Sequence, residues 1–128
     1  MGQRTDSPQG SGMHFYTDLI DDGVRVRVEE PRLDAAIAIR FKDRLRDVAA
    51  RHGPRILLDL TPVQFMDSSG LGAVLAIRRI LPEGHRIELM GLTPNVDRVF
   101  RLTRMDTVFT IHGNQPAFSS PPDDEADR

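Results

Sequence analysis

The segment Phe65-Met66-Asp67-Ser68-Ser69-Gly70-Leu71-Gly72 concentrates a carboxylate, two hydroxyls and two glycines at one point of the chain. A serine at the start of a helix lies beside unpaired backbone N–H groups and the positive end of the helix dipole. A phosphoryl group added there meets a ready-made anion site. The chemistry suggested is therefore modification of a hydroxyl, a switch before a catalyst. The same residues also admit a plainer reading: Ser68 and Ser69 are helix-capping types, and spacing alone does not separate the two roles. Asp67 suits a cap, and equally a surface carboxylate orienting the Ser68 hydroxyl. Gly70 and Gly72 suit close packing of a helix start against a sheet, and Met66 a core or rim position.

Catalysis by these residues is disfavoured. A hydrolase nucleophile would sit in Gly-x-Ser-x-Gly, whereas Met66 and Asp67 precede Ser68. A serine nucleophile also needs a base within hydrogen-bond reach, and His14, His52, His85 and His112 are scattered without ligand spacing, as surface residues would be. With neither a Walker loop nor a metal-ligand cluster in the sequence, the expectation is a protein that is no enzyme and holds no cofactor or metal.

Such a switch needs a strand to deliver it and a helix to start from it. Arg55-Ile56-Leu57-Leu58-Asp59-Leu60 is short, aliphatic and nearly continuous, as a strand covered on both faces would be. After it, Leu71, Val74, Leu75 and Arg78 fall at helical spacing. Upstream, residues 14–20 and 24–28 read as a hairpin around Asp21-Asp22-Gly23, with glycine where a positive φ is often required. Val24, Val26 and Val28 alternate with Arg25 and Arg27, giving one apolar and one wet face. Pro31 breaks this pattern. Asp34 is placed to cap a helix running to about Ala50, with Ile37, Phe41, Leu45 and Val48 on its inner face. Pro82-Glu83-Gly84 marks a turn, and Arg86 to Met90 reads as a strand. Thr93-Pro94 opens a third helix, with Thr93 as cap and Pro94 at its first position. Val108 to Ile111 reads as the last strand. The order β-β-α-β-α-β-α-β predicts an α/β domain: a mostly parallel mixed sheet of about five strands with helices packed against it.

Composition bounds the alternatives. The 128 residues suffice for one small domain, and 39% hydrophobic with 28% charged residues suits a soluble globular protein. Seventeen basic and 19 acidic residues leave a net charge of −2, which offers no electrostatic footprint for nucleic acid or anionic membrane. Cysteine is absent, which excludes disulfides and thiolate metal sites. No apolar run approaches the roughly 20 residues of a membrane span, and residues 1–7 lack the hydrophobic stretch of a secretory signal. The expected address is cytoplasmic, without direct membrane insertion. Residues 1–12 and the Pro-rich acidic stretch 113–128 read as disordered tails around a folded domain at 13–112.

These residues resemble a family. Leu33-Asp34, Leu57-Leu58-Asp59-Leu60, the segment Phe65 to Gly72, and Gly91-Leu92-Thr93-Pro94 with Val96 and Val99-Phe100 are similar to the anti-sigma factor antagonists, stand-alone STAS domains of bacteria. The resemblance implies the STAS fold and phosphorylation of the serine directly after the aspartate, which is Ser68. The implied partner is an anti-sigma factor with serine kinase activity. The unmodified antagonist binds it, phosphorylation abolishes binding, and a serine phosphatase restores it. The implied contact residues are Asp34, Met66, Asp67, Ser68, Ser69, Gly70 and Leu71. An alternative role on the same fold is an adaptor subunit of a lipid-transport or stress-signalling complex. The chain departs from the family where Glu29-Glu30-Pro31-Arg32 replaces the usual glycine-glutamate lead into Leu-Asp, and where a closing helix finds little support in Gln115 to Arg128.

Overall fold

Strict alternation of valine with arginine builds the first part of the sheet, because successive side chains of a strand point to opposite faces. The computed structural model describes residues 3–4 and 14–113. Strand β1 (Gln3–Arg4) pairs antiparallel with β2 (Phe15–Ile20), which turns through Asp21-Asp22 into β3 (Gly23–Val28). A two-residue strand β4 (Arg32–Leu33) follows, then helix α1 (Ala38–Arg51), β5 (Arg55–Asp59), a second two-residue strand β6 (Phe65–Met66) and helix α2 (Ser68–Ile80). Strand β7 (Arg86–Met90), helix α3 (Pro94–Leu102), a 3-10 turn at Met105–Thr107 and β8 (Thr110–His112) complete the described chain. The main sheet runs β1-β2-β3-β5-β7-β8, with β3-β5, β5-β7 and β7-β8 parallel. Each parallel pair needs a long crossover, and α1, α2 and α3 supply one apiece.

Register fixes the two faces. Val24, Ile56 and Ile87 stand abreast, as do Val26, Leu58 and Leu89, and all are buried. Phe41, Leu45, Val74, Ile77, Val96 and Phe100 from the three helices join them in one core. Phe15 meets Phe41 edge-on at 5.9 Å between ring centroids, and Phe100 meets Phe109 at 6.0 Å. The other face carries a row from Arg25 through Leu57 and Glu88 to Thr110, and another from Arg27 through Asp59 and Met90 to His112. Leu57 is half-buried among charges there, so β5 is apolar-in on one side rather than covered alike on both.

Glu88 is nearly buried on this second face. Arg55 donates from Nε and Nη2 at 3.1 and 3.0 Å, Arg86 Nε donates at 2.8 Å, and His112 Nε2 lies 2.7 Å away. Desolvation pushes the carboxyl's pKa upward, but the hydrogen bonds from His112, Arg86 and Arg55 outweigh it and hold it at about 2.

Several expectations are corrected. Gly23 has no positive φ; a Cβ there would lie 1.7 Å from the Arg55 carbonyl oxygen, so close approach of β5 demands the glycine. The last strand starts at Thr110 rather than Val108, because the 3-10 turn after Arg104 (φ 65°) uses Val108 and sends Phe109 into the core. Of the two expected tails, only Gln3–Arg4, paired with β2, and Gly113 are among the described residues. The doubtful closing helix at 115–128 lies outside them.

Candidate functional site

The site is assembled by a short ladder standing apart from the main sheet. The Pro31 carbonyl accepts from Gln64 N at 2.8 Å and Phe65 N at 3.2 Å, and the Leu33 carbonyl accepts from Asp67 N at 3.3 Å. Strands β4 and β6 thus run parallel, Arg32 beside Phe65 and Leu33 beside Met66. Leu33 and Met66 turn into the core, at 0% and 2% exposure. Arg32 and Phe65 turn outward, with the guanidinium carbon 4.4 Å from the ring centroid. The next residues in this alternation, Asp34 and Asp67, are both only partly buried.

Asp67 is the N-cap of α2. Its Oδ1 accepts from Ser69 N at 2.8 Å and Gly70 N at 3.1 Å, and its carbonyl accepts from Leu71 N at 3.0 Å. Ser68 is the first helical residue and is exposed; Ser69 is the second and half-buried. Among the described residues none is hydrogen-bonded to the Ser68 hydroxyl. Neither serine is the cap, and the amides expected to form a vacant anion site are already held by Asp67.

Asp34 also differs from expectation. Helix α1 begins at Ala38, and Asp34 closes the preceding turn: its Oδ1 accepts from Ala36 N at 3.1 Å and its carbonyl from Ile37 N and Ala38 N at 3.1 and 2.9 Å. Its Oδ2 accepts from Arg32 Nε at 3.2 Å. Thr93 holds the N-cap position of α3 without capping it; its hydroxyl donates to the Val63 carbonyl at 2.7 Å and ties α3 to the segment leading into β6.

The glycines divide. Gly70 is buried and a Cβ would fall 2.3 Å from the Leu33 carbonyl oxygen, so α2 can approach β4 only with glycine there. Gly72 packs against nothing: no atom lies within 4 Å of its Cβ position. It opens instead on a groove of about 340 Å³ between α1 and α2, lined by Ala38, Ile39, Lys42, Ser69 and Ala76 among others. Burial of Met66 and Gly70 leaves Asp34, Asp67, Ser68, Ser69 and half-buried Leu71 as the expected contact residues offering side-chain surface.

The histidines are less idle than their scatter suggests. His112 braces Glu88, His14 Nδ1 lies 2.7 Å from Glu30 Oε2, and the His85 ring covers Gly53. No group of histidine and acidic side chains fit to hold a metal occurs among the described residues. The outward pair Arg32 and Phe65 stands on the same ladder but is not among the expected contact residues; its signal in the sequence is the alternation Arg32-Leu33-Asp34 set against Phe65-Met66-Asp67.

The family model described as "Mlab, STAS domain" matches residues 18–111. The chain belongs to the STAS-domain family. Within that family it is similar to the anti-sigma-B factor antagonist of Listeria monocytogenes, with 30% identity over 80 residues, 62% of this chain and 70% of the relative. The STAS fold is shared with an anti-sigma factor antagonist from Mycobacterium paratuberculosis at 22% identity and TM-score 0.71, covering 84% of this chain and 89% of that one. It is shared too with SpoIIAA, the Bacillus cell fate determinant, in its unphosphorylated form (22% identity, TM-score 0.65, 80% and 89% of the chains) and in its phosphorylated form (21%, 0.60, 80% and 92%). The relatives and neighbours that this STAS domain resembles are themselves named anti-sigma factor antagonists. Among its described residues, no helix is long and apolar enough to cross a membrane.

Proposed function

We propose that this protein is an anti-sigma factor antagonist governed by phosphorylation of Ser68. Unmodified, it binds an anti-sigma factor that is itself a serine kinase. Phosphate transferred to Ser68 ends the complex, and a serine phosphatase resets it, so that sigma-factor-dependent transcription follows the state of one hydroxyl. The observation that carries this reading is the exposed Ser68 at the first position of α2, flanked by Asp67, with Asp34 brought to the same ladder.

Phosphoserine adds about 1.5 to 2 negative charges near neutral pH. Because Asp67 already occupies the Ser69 and Gly70 amides, the new charge gains little from the helix start and stands next to a carboxylate. A partner surface closed over a neutral hydroxyl would have to desolvate that dianion, which is costly without compensating charge. Release then requires only local repulsion.

The test is affinity of the purified kinase-type anti-sigma factor for the Ser68→Ala and Ser68→Asp variants. The alanine form should bind at least as well as the parent and the aspartate form at least tenfold more weakly. Equal affinities would sink the switch, and co-purification with a transport ATPase together with an unmodifiable Ser68 would favour the adaptor role instead.

A further inference from the structure

The chain places a cation, Arg32, where its family resemblance leads one to expect none, on the strand that pairs with the segment leading into Ser68. Arg32 holds its guanidinium carbon 4.4 Å from the Phe65 ring centroid and donates from Nε to Asp34 Oδ2 at 3.2 Å, with its side chain 60% exposed. Arg32 pairs with Phe65 and Leu33 with Met66, and the bond from Asp67 N to the Leu33 carbonyl brings Asp34 and Asp67 out at the same end of the ladder. The guanidinium held at Asp34 thus belongs to the strand that pairs with the one leading through Asp67 into Ser68. The Ser69 and Gly70 amides are spent on Asp67. The charged groups nearest in the fold to a phosphate on Ser68 are then Asp67 just before it, Asp34 and Arg32 on the neighbouring strand, and Lys42 on α1, which lines the groove that Ser69 also lines.

We propose that, on phosphorylation of Ser68, Arg32 leaves Asp34 and becomes the counter-ion of the phosphate. An exposed ion pair with one carboxylate is weakly held, whereas a guanidinium binds a phosphate dianion through two parallel N–H bonds. The exchange holds the phosphate against the β4–β6 ladder and leaves the Asp34 carboxylate bare. Two negative groups then confront a partner where a neutral hydroxyl and a compensated carboxylate stood before. This inference rests on the reading of Ser68 as the modified residue and extends it to how the phosphate is held.

The experiment uses the full chain with phosphoserine installed at position 68 during translation, so no kinase is needed. Its phosphorus NMR signal is titrated in the parent and in Arg32→Ala, Arg32→Lys and Lys42→Ala backgrounds. Loss of a neighbouring cation raises a phosphate's second pKa. Arg32→Ala should raise it by about half a unit, Arg32→Lys should recover part of the difference, and Lys42→Ala should leave it in place. The Arg32 Nε–H signal should move on phosphorylation in the parent. Unchanged amide shifts of Ser69 and Gly70 report that the cap survives each substitution. A phosphate pKa indifferent to Arg32, or one that responds only to Lys42, overturns the proposal. Because the phosphate is installed, that failure stays distinct from failure of a kinase to modify Ser68.

Discussion

At the residue scale, Asp67 is the side chain on which the site turns, since one oxygen satisfies two of the orphan amides of α2. Asp67→Ala should cost about 1 kcal/mol of folding stability, as loss of an N-cap does, read as a lowered denaturant midpoint with unchanged slope. A paired test separates the two glycines. Gly70→Ala forces a methyl group into the Leu33 carbonyl and should destabilise by about 1–3 kcal/mol, the range for overpacking. Gly72→Ala meets open space and should stabilise by about 0.5–1 kcal/mol, because glycine within a helix is costly relative to alanine. If both variants lose stability alike, the groove beside Gly72 is not open in solution. The sequence showed that this segment was special, through Asp67-Ser68-Ser69-Gly70. It did not show which side chain takes the amides, because Asp and Ser are equally good caps and only the φ, ψ entry angle at residue 67 decides.

At the element scale, the ladder of β4 and β6 is what the sequence hid best. Two-residue strands carry too few alternating positions to register as strands, and this pair depends on the carbonyls of Pro31 and Leu33 meeting amides more than 30 residues away. By contrast, Val24, Val26 and Val28 announce β3 locally, and Phe41 and Leu45 announce α1, because burial on one face imposes a period that can be read directly. Asp34 looks like a helix cap in the sequence for the same reason that β4 does not look like a strand: the turn Asp34–Ile37 intervenes before the helix with its own hydrogen bonds. Thr93 presents a further case, its hydroxyl spent on the Val63 carbonyl. Thr93→Val keeps the side-chain shape and leaves that carbonyl without its donor. The variant should lose about 0.5–1.5 kcal/mol and speed hydrogen exchange at Gln64 and Phe65, a pattern that loss of a helix cap alone would not give.

At the scale of the whole molecule, the sheet has one apolar and one charged face, and the charged face carries a pH dependence of its own. The folded pKa of Glu88, about 2, lies below its ordinary value of 4.5. Its contribution to stability is therefore fully present above about pH 4.5 and is lost as the pH falls toward 2. Glu88→Gln should weaken the protein at pH 7, by about 1–3 kcal/mol as its charged hydrogen bonds are removed, and the difference from the parent should shrink between pH 4.5 and 2. Parallel stability curves over that range would show that Glu88 is not the titrating group. Glu88 could not be singled out beforehand. Arg86 stands two residues away on the same strand, but Arg55 and His112 come from the two flanking strands, and only the parallel register brings them to the carboxylate.

The alternation along β4 and β6 has an evolutionary corollary. Leu33 and Met66 anchor the ladder inside while Arg32 and Phe65 display themselves outside, so the lettering shown to solvent can be rewritten without disturbing what keeps the ladder in place. A lineage that duplicates such a gene could tell its daughter proteins apart by exchanging Phe65, leaving the inner two letters alone and Arg32 in its proposed place beside the phosphate.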